Sequence, residues 1–62
     1  MITMKIIHKR NYMTTDDVIV LNDTNKQVAC FTTSEGEYLA YTLKDMLKLM
    51  GFEVVVETVK SY

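Results

Sequence analysis

Sixty-two residues carry a formal net charge of −1, one cysteine and one histidine. A chain this short buries only about 60% of the surface its unfolded form exposes, and Cys30 with His8 supplies neither an internal disulfide nor a structural zinc site, which leaves a permanent partner, self-association or an unusually good small core to stabilise it. The near-neutral charge excludes a strong, general attraction to nucleic acid or to anionic membranes, and an apolar fraction of 48% argues against disorder.

The chain opens on Ile2, Thr3, Met4, Lys5, Ile6, Ile7, His8, Lys9, Arg10, Asn11 and Tyr12. Its β-branched and aromatic content predicts a first strand over residues 3–12. Met4 is an alternative to Met1 as the start of translation. Lys5, His8, Lys9 and Arg10 interrupt any apolar core of a signal peptide. No apolar run approaches the ~20 residues of a membrane span. The expected setting is the cytoplasm, with Cys30 reduced.

Thr14, Thr15, Asp16 and Asp17 form a polar break with turn chemistry. Val18, Ile19, Val20 and Leu21 follow as a short strand, apolar on both faces. Asn22, Asp23, Thr24 and Asn25 give the strongest turn signal in the chain, because Asn and Asp tolerate positive φ and bond to their own backbone. Residues 26–33 return as a third strand centred on Val28, Ala29, Cys30 and Phe31.

Residues 34–51 read as the one long helix. Leu39, Leu43, Met46, Leu47 and Met50 fall on one stripe of a helix with ~3.6 residues per turn. Ser34 and Glu37 have the spacing of a capping box, and Gly51 stands where a left-handed residue ends a helix. The rival arrangement makes Glu35 and Gly36 a hairpin tip, residues 38–41 a strand, and Thr42 the cap of a shorter helix; the unbroken stripe back to Leu39 favours the long helix. Leu43, Met46, Leu47 and Met50 are expected to bury against Phe52, Val54 and Val56, with Tyr38 and Leu49 half-buried beside them. Three consecutive valines within residues 52–59 predict the last strand.

The order β-β-β-α-β predicts an α+β fold, a small two-layer sandwich with one helix packed on a mixed four-stranded sheet, in one domain over residues 1–62. Two short turns give an antiparallel meander, and the helix then crosses over so that the last strand lies parallel to the first. The expected strand order is 4-1-2-3; pairing of the last strand with the third is the less favoured alternative. One helix covers one face. Period-two alternation leaves Ile7, Ile19 or Leu21, and Val55 on the other, or their neighbours if the register is shifted by one; either way apolar side chains stay uncovered. An uncovered apolar face marks an interface.

Few residues suggest chemistry. Cys30 and His8 are the available nucleophile and imidazole, and neighbouring strands can bring them together, but no third orienting group or oxyanion donor accompanies them. Asp16, Asp17 and Asp23 lack the spacing of a calcium loop and read as solvated turn residues. With two glycines in the chain, no phosphate-cradling loop is expected. No cofactor or metal is expected. Lys5, Lys9, Arg10 and Tyr12 offer cations and a stacking ring for nucleic acid, yet Lys9 and Arg10 fall on opposite faces of a strand. On the outer helix face Tyr41, beside Lys44 and Lys48, has the form of an interface anchor.

The expected function is therefore non-catalytic binding of another protein, with a homodimer as the expected assembly and Tyr41, Lys44, Lys48, Ile7, Ile19 and Val55 as the contact residues. The alternative is a nucleic-acid-binding regulator working through the first strand. In size, absence of proline and general plan the chain resembles small accessory proteins that phages and mobile elements encode to bind and inhibit host enzymes. That resemblance implies inhibition by binding and carries over no motif or functional residue.

Overall fold

The computed structural model describes residues 2–11 and 13–60, so Met1 and Tyr12 lie outside the described residues. Its elements are β1 (Thr3–Arg10), β2 (Asp16–Leu21), β3 (Gln27–Thr33), α1 (Gly36–Leu49) and β4 (Glu53–Lys60). The four strands form one mixed sheet in the order β3-β2-β1-β4. β1 pairs antiparallel with β2 and parallel with β4, and β2 pairs antiparallel with β3. The two-layer β-β-β-α-β plan and the strand order follow the sequence expectation.

Local chemistry accounts for the connections. In the β2–β3 turn Asn22 Oδ1 accepts from the Thr24 N–H at 3.0 Å, the Lys26 N–H at 2.9 Å and the Thr24 hydroxyl at 2.8 Å, and Asn25 adopts φ +63°. This is the Asx chemistry that the turn signal predicts. Between Val20 and Leu21 the β2–β3 register shifts, leaving Val28 as an extra residue on β3, a bulge of the kind that spoils an edge strand for further pairing.

The helix ends as its sequence predicts and begins differently. Gly51 has φ +97°, its N–H donates to the Lys48 carbonyl at 3.0 Å, and the Phe52 N–H donates to the Leu47 carbonyl at 3.0 Å. Those two bonds define a Schellman motif, which needs the left-handed residue glycine supplies. At the other end the capping box does not form. The N-cap is Glu35 with no side-chain cap bond, which places Ser34 one residue too early to bond the third helical N–H. Instead the Glu35 N–H donates to the Thr33 hydroxyl at 3.1 Å. The strand alternative for residues 38–41 is excluded, since they lie within α1.

Ile6, Val18, Val20 and Ala40 form the buried core, with Met4, Ala29, Leu39, Leu43, Leu47, Val54 and Val56 packed around it. The expected stripe is corrected here. Met46 is 54% exposed and Met50 69%, and the flanking Tyr38 and Leu49 are 73% and 89% exposed rather than half-buried. The buried residues of the helix are Gly36 and Ala40, so its contact line runs through Gly36, Ala40, Leu43 and Leu47. Small residues at the line let the helix sit close to the sheet, and that rotates both methionines outward.

Candidate functional site

Two regions of this fold could carry a function. The first is the face of the sheet away from α1. Strand alternation puts Lys5, Ile7 and Lys9 of β1 there, in register with Leu21, Ile19 and Asp17 of β2 and with Val55, Glu57 and Val59 of β4. Cys30 and Thr32 of β3 extend the rows beside Ile19 and Asp17. Ile7, Ile19 and Leu21 are half-buried by their strand neighbours alone, and Val55 and Val59 are exposed. The two central strands and β4 thus present an apolar band crossed by charges. Lys5 pairs with Glu57 at 2.9 Å, and the Thr32 hydroxyl donates to Asp17 Oδ1 at 3.2 Å. Lys9 and Asp17 stand side by side in register. They form no ion pair with each other; among the described residues the ion pairs are Lys5–Glu57 and His8–Asp16.

The second region is a cleft of about 510 Å³ at the start of α1, lined by His8, Arg10, Asp16, Ser34, Glu35, Gly36, Glu37 and Tyr38. Its floor is a polar pair that sequence reasoning did not assemble. His8 follows Ile6 on the inner face of β1, and Asp16 precedes Val18 on the inner face of β2, so the antiparallel register brings the two together. His8 is 2% exposed, and its Nε2 lies 2.8 Å from Asp16 Oδ2. A carboxylate only accepts, so Nε2 carries the proton and donates. The Asn11 N–H donates to Asp16 Oδ1 at 3.4 Å. The His8 hydrogen bond, aided by the Asn11 N–H and the Arg10 charge, holds the Asp16 carboxyl below the usual aspartate range against the opposing effect of burial. Asp16 is therefore half-buried and bonded, not the solvated turn residue its neighbours in sequence suggest. Gly36 closes over the pair: a Cβ there would lie 2.6 Å from Asp16 Cβ and 2.7 Å from His8 Nε2.

An imidazole oriented by a carboxylate is half of a nucleophilic relay. The other half does not meet it. Cys30 lies opposite Ile19 on the outer face of β3, two strands away from His8, which points inward from β1. Among the described residues no cluster of three or more His, Cys, Asp or Glu could hold a metal ion. Acidic Asp16, Glu35 and Glu37 outnumber Arg10 around the cleft, which opposes an anionic ligand despite the helix N-terminus.

The remaining candidates separate. Lys5 and Lys9 belong to the outer face, Arg10 falls on the inner side of β1, and Tyr12 lies outside the described residues. On α1 the Lys44 ammonium sits 5.3 Å from the centre of the Tyr41 ring, within cation–π range, and Lys48 is exposed. Exposed Met46, Leu49 and Met50 add apolar surface at the end of the helix. No helix among the described residues is long and apolar enough to cross a membrane. No family model, curated protein or solved structure matches the chain.

Proposed function

We propose that the protein acts by binding another protein chain through the outer face of its sheet, without catalysing a reaction. The observation that carries this is the imbalance of the two layers. The helix packs on β1, β4 and β2 from one side of the sheet, and no layer lies over half-buried Ile7, Ile19 and Leu21 or exposed Val55 and Val59 on the other, where Lys5 and Glu57 pair beside them. Each large aliphatic side chain that a partner buries contributes roughly 1.5–3 kcal/mol, which matters to a domain with a core of this size. An apolar sheet face left without a second layer is the form of a protein interface. The outer surface of α1, with Tyr41, Lys44 and Lys48, is then a second contact surface facing the opposite way. The inward-turned His8–Asp16 pair supports a structural rather than a chemical role for the one imidazole.

Capture from the source cells tests this. Tagged wild-type protein should retain a protein partner, a second copy included. Ile19→Lys and Val55→Lys should lose it while keeping their circular dichroism, and Thr14→Lys in the β1–β2 loop should keep it. Both face variants retaining the same partners in the same amounts would overturn the proposal.

A further inference from the structure

We infer that the chain seated on the outer face is a second copy of this one, docked sheet to sheet about a twofold axis that runs along the strands midway between β1 and β2; the inference rests on that face being the docking surface. The register carries it. Such an axis lays β1 of one copy over β2 of the other, so residues that are neighbours across the two strands within a chain face each other between chains. Ile7 meets Ile19 of the second copy, and Ile19 meets its Ile7, which closes an apolar centre. Lys9 meets Asp17 of the second copy, and Asp17 meets its Lys9. These are the two charges that stand together in one chain without an ion pair among the described residues; Asp17 takes the Thr32 hydroxyl on Oδ1 and keeps Oδ2 for Lys9 of the second copy. Lys5 keeps its ammonium on Glu57 and lays its aliphatic stem over Leu21 of the second copy.

The charges also choose the axis. A twofold perpendicular to the strands and centred on Ile7 would set Lys5 against Lys9 and Leu21 against Asp17. The axis along the strands instead sets Lys9 against Asp17 and lays only the aliphatic stem of Lys5 on Leu21. The size suffices as well. Four strands ~4.8 Å apart, with residues rising ~3.3 Å, give a face roughly 20 Å by 25 Å. With side-chain relief this approaches the ~800 Å² per partner of a standard interface, about a fifth of the chain's 4386 Å² of accessible surface. Sheets packed this way cross at about −30°, and the outer surface of α1 remains free on both copies.

Sedimentation equilibrium across the micromolar range, with circular dichroism as the check on folding, tests the assignment. Wild type should be a dimer. Lys9→Glu and Asp17→Lys should each weaken association at least ~tenfold, since each creates two like-charge contacts in the dimer. An equimolar mixture of the two variants should restore it. In the mixed dimer the new carboxylate at position 9 faces the new ammonium at position 17, and the unchanged Lys9 faces the unchanged Asp17. Within each variant chain the like charges stay side by side whatever the assembly, so recovery on mixing reports the contact between chains. A wild type that stays monomeric overturns the second copy as occupant and leaves the docking surface to the capture experiment. A dimer indifferent to both Ile19→Lys and Val55→Lys, as an edge-to-edge pairing of β4 would be, overturns the face itself. A dimer lost in Ile19→Lys but not restored by the mixture overturns this axis.

Discussion

Replacing Gly36 by alanine would put a methyl group where the first turn of α1 rests on the His8–Asp16 pair. The new Cβ would lie 2.6 Å from Asp16 Cβ, 2.7 Å from His8 Nε2 and 2.9 Å from Asp16 Oδ2. Carbon atoms in contact ordinarily stand ~3.5–4.0 Å apart, so the helix must lift by about 1 Å or the pair must separate. Either response loosens the contact of Ala40 with the core. Overpacking of this kind costs about 1–3 kcal/mol, and the helix preference of alanine over glycine, up to ~1 kcal/mol in an interior position, offsets part of it. The expected net loss is about 1–2 kcal/mol, a fall of roughly 4–8 °C in Tm per kcal/mol for a domain of this size. Urea unfolding followed by circular dichroism should show a lower midpoint with an unchanged slope. Gly51 is the control, because nothing lies within 4 Å of a Cβ there and only its φ of +97° demands glycine. Asparagine tolerates left-handed backbone, so Gly51→Asn should cost less than Gly51→Ala, whereas Gly36→Asn should cost more than Gly36→Ala. A Gly36→Ala protein as stable as wild type would refute the close approach of helix and sheet.

Further outcomes follow from the same packing. Ile6→Ala removes a fully buried side chain and should cost ~2–5 kcal/mol, a large share of the 5–15 kcal/mol typical of a domain, whereas Met50→Ala should stay within about 0.5 kcal/mol; equal losses in thermal unfolding would contradict the observed helix face. Because the folded-state pKa of Asp16 lies below its unfolded value, its stabilisation is complete above the ordinary aspartate value of about 3.9 and is lost as pH falls through the lower, folded one. Asp16→Asn should therefore be less stable than wild type at neutral pH, with the gap closing below pH ~4; a gap that persists unchanged in acid would show that the carboxylate charge contributes nothing.

Much of this fold was legible in local sequence. β-Branched runs mark the strands, the side chain of Asn22 folds its own turn, and Gly51 ends the helix in the conformation only glycine takes cheaply. Period-two alternation also separated Ile6 from Ile7 and Val54 from Val55 correctly. What escaped depends on how elements meet. A hydrophobic stripe counts large residues, so Met46 and Met50 outweighed Gly36 and Ala40, although closeness to the sheet selects the small ones. Ser34 has the right spacing from Glu37 for a cap, but contact with the sheet sets the helix start one residue later. His8 and Asp16 were each readable by parity, one beyond Ile6 and one before Val18 on the same inner face. Their pairing needed the β1–β2 register, and Asp16 sits in a run of polar residues that looks like a turn.

The central claim is that the outer face of the sheet is where this protein meets another chain. Methyl NMR with a soluble paramagnetic relaxation agent measures that face residue by residue, comparing dilute protein with the associated state. Ile7, Ile19, Leu21 and Val55 should be relaxed by the agent when dilute and shielded on association, while Ile6 and Val18 stay shielded throughout and Leu49 on the helix stays relaxed. Ile7, Ile19 and Val55 methyls that remain equally accessible in the associated state would contradict the account.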